Sequence, residues 1–160
     1  MPLPAPGNQD VRIRVNETDL PPAMAGAWRV NAHACSLSFQ LNPSQLVSAI
    51  FSMRPRALAP GDMLRTKAGK FRVETVVDAP GNAQVVLLTD APGLDARLGI
   101  AARASPEGSW VALYTSVHPR SWAGRFYFRI IEPFHHVLME HLLLRRLRRS
   151  ANRLALGAVS

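Results

Sequence analysis

Four titratable side chains crowd a short stretch near the C-terminus: His135, His136, Glu140 and His141. Histidines beside a glutamate suggest zinc. A zinc-peptidase helix carries two His four residues apart with the Glu between them on one face. Here Glu140 follows His136 by four positions and His141 follows it by five. Five residues turn a helix by about 500°, which points the two imidazoles about 140° apart. His136 and Glu140 alone are too few ligands for a site. No metal is expected, and the pair reads as a helical surface contact of about 0.2–0.5 kcal/mol.

The other reactive groups carry equally little catalysis. Cys35 is the single cysteine, which excludes an internal disulfide and any Cys-based zinc knuckle. It shares a strand face with Leu37 and Phe39, where a free thiol packs as a small apolar group. No lysine or helix N-terminus stands beside it to lower its pKa. Asp95 and Arg97, two apart, share one strand face, and Tyr114 and His118 share another. Together they would make a solvent-facing polar ladder contributing about 1 kcal/mol or less. Gly61, Gly69 and Gly81 stand isolated, so no phosphate loop, dinucleotide fingerprint or nucleophile elbow exists. No catalytic residue and no cofactor is assigned on this basis.

These groups depend on a tail of clear period. Over residues 121–149, Trp122, Phe126, Ile130, Phe134, Val137, Leu138, His141 and Leu144 recur every three or four positions. That spacing predicts one long helix with a buried stripe, N-capped by Ser121 and kinked at Pro133. The net charge is +8, and from Arg120 onward eight arginines stand against Glu132 and Glu140, which places six of the eight charges in the tail. A basic amphipathic helix fits anionic lipid headgroups; the plainer account is arginines complementing the negative pole of the helix. No reading helix or aromatic-basic platform accompanies the charge, so no specific nucleic acid is predicted.

Upstream, prolines at positions 2, 4, 6, 21 and 22 mark residues 1–27 as an arm over the surface, with an edge strand at 11–15. Residues 28–160 form one domain, and 48% hydrophobic content is ample for a core. A core strand is predicted over 28–41. Asn42, Pro43 and Ser44 then open a helix over 45–53 with Leu46, Val47, Ile50 and Phe51 on one face. Residues 54–70 read as a loop. Four strands with tight turns follow, at 71–77, 84–89, 94–103 and 110–118. Strands so joined are antiparallel neighbours, and their apolar face needs a cover. The tail helix is the long element left to supply it, which gives α+β: a curved antiparallel sheet wrapped around a long C-terminal helix. The start of the chain lacks the layout of a secretory signal and no apolar run of about 18 residues exists, so a cytoplasmic location is expected.

That element order resembles the helix-grip fold of START-like (SRPBCC) proteins. A closer likeness lies between Asp95 and Leu144. Thr115 and Val117 at a strand end, then Gly124, Arg125 and Tyr127, then Pro133, Phe134 and His135, resemble the signature of a bacterial family known as domain of unknown function 2867. Leu94, Asp95, Ala96 and Arg97 resemble its Leu-Asp-x-Arg strand, although Gly93 stands where a His is expected. The family has no assigned activity, so the resemblance implies a fold. It places a ligand cavity between sheet and helix, lined by Tyr127, His135, Phe134, Thr115, Asp95 and Arg97. The expected function is non-catalytic binding of a small hydrophobic ligand or lipid. Two alternatives accompany it: a cyclase- or hydratase-like enzyme using the same cavity, and peripheral binding to anionic membrane through the arginine-rich end.

Overall fold

The computed structural model describes residues 11–13, 29–91, 93–137, 145–147, 149 and 153. Seven strands form a single curved, open antiparallel sheet: β1 (Val11–Ile13), β2 (Arg29–Leu37), β3 (Met63–Thr66), β4 (Gly69–Ala79), β5 (Asn82–Ala91), β6 (Leu94–Ser105) and β7 (Gly108–Pro119). Their spatial order is β1-β2-β7-β6-β5-β4-β3. Among the described residues, α1 (Pro43–Phe51) between β2 and β3 and α2 (Trp122–Val137) after β7 complete the α+β fold. Among the described residues, no helix is long and apolar enough to cross a membrane.

The link from β2 to β3 joins opposite sides of the sheet, so α1 must cross its face. Its start is fixed chemically. The Asn42 side chain accepts from the Gln45 amide at 2.9 Å, the Gln45 side chain accepts from the Asn42 amide at 3.0 Å, and Pro43 occupies the first turn. Ser52, left-handed at φ 53°, ends it. Leu46, Val47, Ile50 and Phe51 then bury against Cys35, Leu87, Ile100, Val111 and Leu113 in the main core. The Phe51 and Phe71 rings meet at 5.0 Å. Leu147 is fully buried in the same core.

Several elements depart from expectation. The region 54–70 contains β3, whose Leu64 is buried opposite Phe71. In β4 the alternation slips: the register shifts between Val73 and Thr75, so Thr75 and Val77 pair with Val86 and Gln84 on the other face from Val73. A bulge of one residue does this. The tail differs most. α2 spans 16 residues and runs through Pro133, and Arg145, Arg146 and Leu147 are helical again. One helix over 121–149 is not shown; Leu138, Glu140, His141 and Leu144 of the predicted stripe, like most of the 1–27 arm, lie outside the described residues.

The predicted buried stripe of α2 faces outward. Trp122 is 81% exposed and Phe134 73%, and Phe126, Ile130 and Val137 are exposed with them. The side that packs is Gly124, Phe128, Ile131 and His135, again at steps of four, three and four. Phe128 is 2% exposed and sits with Leu94 and Val117 in a small cluster at one end of the sheet, with Ile131 against it. Here α1, rather than α2, lies over the main core.

Candidate functional site

Strand parity decides which groups meet. On β7, Val111, Leu113, Thr115 and Val117 share the α1 side of the sheet. Thr115 pairs with Asn31 of β2, and Leu113 with His33. Thr115 and His33 are therefore diagonal neighbours on one face, about 7–8 Å apart at Cα. Both are buried, His33 to 1% and Thr115 to 8%. They form a polar step between the apolar cluster around Leu113 and the one around Val117. α2 brings a third polar group to this side: His135 lies two turns beyond Phe128, with the ring centroids 6.4 Å apart. Both ring nitrogens of His33, the Thr115 hydroxyl and Nδ1 of His135 are shielded from solvent. The Thr115 hydroxyl has no hydrogen-bond partner among the described residues. A buried hydroxyl left in that state costs about 1–3 kcal/mol.

The remaining predicted lining residues do not join this step. Asp95 and Arg97 lie on the opposite face of the sheet, opposite His118 and Ser116 of β7. Both are engaged there. Arg97 donates to both carboxylate oxygens of Glu74, at 2.8 and 3.1 Å, and Arg120 pairs with Asp95 at 3.5 Å. The hydrogen bonds to Glu74 hold the Arg97 guanidinium above its ordinary pKa, against partial burial that pulls it down. Glu74 follows inward-facing Val73, so ordinary alternation puts it on the same outer face as Arg97. Tyr127 and Phe134 are exposed on α2. Of six predicted residues, the structure thus places Thr115 and His135 on the same side, and it adds His33. The signal for His33 was present in the sequence: it falls on the apolar parity of Cys35 and Leu37.

Two glycines set where α2 begins. A Cβ on Gly124 would stand 2.0 Å from the Gly93 carbonyl oxygen, and one on Gly93 would stand 2.7 Å from Ser121 Oγ. Gly93 also adopts φ +71°, a conformation costly for other residues. The turn before β6 and the first turn of α2 are in backbone contact, which explains why a side chain at position 93 is absent. Ser121 Oγ accepts from the Gly124 amide at 3.1 Å, as predicted for an N-cap.

A separate hollow of about 560 Å³ opens at the far end of the sheet, near Asn42, Gln45, Asp78, Asn82, Arg103 and Ser109. No predicted site residue lines it. Three of its polar groups hold the fold together: Asn42 and Gln45 cap α1, and Ser109 Oγ donates to the Phe39 carbonyl at 2.6 Å. Among the described residues, no group of three His, Cys, Asp or Glu is placed to hold a metal; Glu140, His141 and the His136 side chain lie outside them. Arg145, Arg146 and Arg149 are exposed.

The fold and the buried step together define an α+β protein whose sheet carries the buried polar pair His33 and Thr115 between two apolar clusters. The chain belongs to the family described as protein of unknown function DUF2867, whose model matches residues 38–142, more than half of its length. The match spans α1, β3 to β7 and α2, and so includes Thr115, Gly124 and His135 while leaving His33 outside. No curated protein matches the chain.

Proposed function

We propose that the protein is a non-catalytic binding module for a small, mainly apolar molecule bearing one hydrogen-bonding group, held between the sheet and α2. The single observation behind this is the Thr115 hydroxyl, buried without a partner among the described residues and flanked by apolar clusters on both sides. A ligand oxygen or amide there would offset the cost of that buried group, and the surrounding Leu and Val side chains would take the apolar body. The architecture this reading assumes is the helix grip of START-like proteins. Phe128 packed on Leu94 and Val117, and Leu147 buried in the main core, support it.

The cyclase- or hydratase-like alternative needs an acid–base pair facing a bound substrate. Its support is that His33 and His135 are on the same side as Thr115. Asp95 and Arg97 have no part in it, since both are engaged on the other face.

Native mass spectrometry of the full chain, purified without detergent, tests the binding reading. A discrete added mass is expected on the wild type and not on Thr115→Val, while Phe134→Ala retains it. Equal occupancy in Thr115→Val, or bare protein throughout, contradicts the reading. Turnover lost in His33→Gln or His135→Gln with binding intact would favour the enzyme.

A further inference from the structure

We infer that the outward face of α2 is a docking surface for anionic lipid bilayers. Trp122, Phe126, Ile130, Phe134 and Val137 are all exposed and lie on one side of the helix, from its first turn to its last. They form a continuous apolar stripe about 24 Å long, at 1.5 Å rise per residue. Solvent-exposed aromatic residues in such a row need a partner. The same helix says which one. Arg125 and Arg129 are exposed on the flank of the stripe nearest Trp122, and no acidic residue falls within the stripe itself. Half-buried Glu132 lies beyond the arginines, towards the packed side. A row of Trp and Phe beside arginines is the composition of a helix that lies in the plane of an interface. The rings enter the headgroup boundary, while the guanidinium groups reach the phosphates on long aliphatic stems.

Charge separates this partner from a second copy of the chain. A two-fold interface through α2 would set the arginine-flanked stripe against itself, on protomers that each carry +8. An anionic surface gains from the same charge. The helix is also too short to cross a bilayer, so the protein would lie on the membrane and not across it. This inference is independent of the ligand reading, because none of these side chains belongs to the His33, Thr115 and His135 step.

Sedimentation of the full chain with vesicles of phosphatidylcholine containing about a third phosphatidylserine tests it. The wild type is expected to pellet with them, to stay in solution with phosphatidylcholine alone, and to release between about 0.1 M and about 0.5 M salt. Phe126→Ser with Phe134→Ser, and separately Arg125→Gln with Arg129→Gln, are each expected to weaken binding by about tenfold or more. These positions are exposed, so an unchanged circular dichroism spectrum is expected to accompany the loss. The blue shift of tryptophan emission on binding is expected to vanish in Trp122→Phe. Binding that ignores lipid charge, or that survives both double variants, overturns the inference. So does a concentration-dependent dimer abolished by Phe126→Ser and Phe134→Ser without any vesicle binding, which would assign the face to a second copy. Retention of the ligand mass by these variants keeps the two proposals distinguishable.

Discussion

Both helices are amphipathic, yet α1 turns Leu46, Val47 and Ile50 onto the sheet while α2 turns Trp122, Phe126 and Phe134 to solvent. Connectivity explains the difference. The strands on either side of α1 stand far apart in the sheet, β2 near one edge and β3 at the other, so α1 is drawn across the face and its apolar side closes the core. α2 is tied to the sheet mainly at its start, where Gly124 meets Gly93, and along the Phe128 row. An apolar stripe shows that a helix face needs cover. It does not say which surface supplies it, and chain path decides between the core and a partner.

The largest effect that could break this comparison is truncation of matched isoleucines. Ile50→Ala in α1 is expected to cost about 2–5 kcal/mol, as a fully buried aliphatic residue does. Ile130→Ala in α2 is expected to stay within about 0.5 kcal/mol. Urea unfolding of both variants checks this, and equal losses would mean that α2 is buried like α1. Next comes Gly124→Ala. In an ordinary helix this exchange stabilises by about 1 kcal/mol. Here the new methyl would collide with the Gly93 carbonyl, and a loss of about 1–3 kcal/mol is expected instead. A gain would show that the turn before β6 and α2 are not in contact. The smallest effect is at the polar step. Thr115→Val in ligand-free protein is expected to be neutral or to stabilise by about 1 kcal/mol, because it removes a buried hydroxyl that lacks a partner among the described residues. Destabilisation by that amount would mean the hydroxyl is engaged within the protein.

Much of the sheet was legible from strict alternation. In β6 and β7 the alternating apolar sets, from Leu94 to Ala102 and from Val111 to Val117, each share one covered face, because a period of two leaves no freedom once one face is apolar. The start of α1 was legible from Asn42 and Pro43, whose capping chemistry is local. What failed depended on distant partners. β3 is only four residues long, among turn signals at Gly61 and Gly69, and it is a strand because Leu64 finds Phe71. The slip at Glu74 is a single extra residue that leaves the apolar count of β4 unchanged. For the site, Asp95 and Arg97 are expected to line the cavity, but strand parity puts them on the face opposite Thr115 and α2. The orientation of α2 is not legible for a related reason. Its strongest apolar stripe, Trp122 to Val137, reads as the inward one, whereas Gly124, with no side chain to score, marks the side that packs.

The orientation of α2 bears on both proposals, and thiol labelling measures it most directly. Cys35 is the only cysteine and is fully buried, so the wild type is its own blank. Under native conditions Phe134→Cys is expected to react with a maleimide at the rate of an unfolded peptide, while Phe128→Cys and Cys35 remain protected. Protection of Phe134→Cys together with rapid labelling of Phe128→Cys would reverse the helix, place the aromatic stripe against the sheet, and contradict the account.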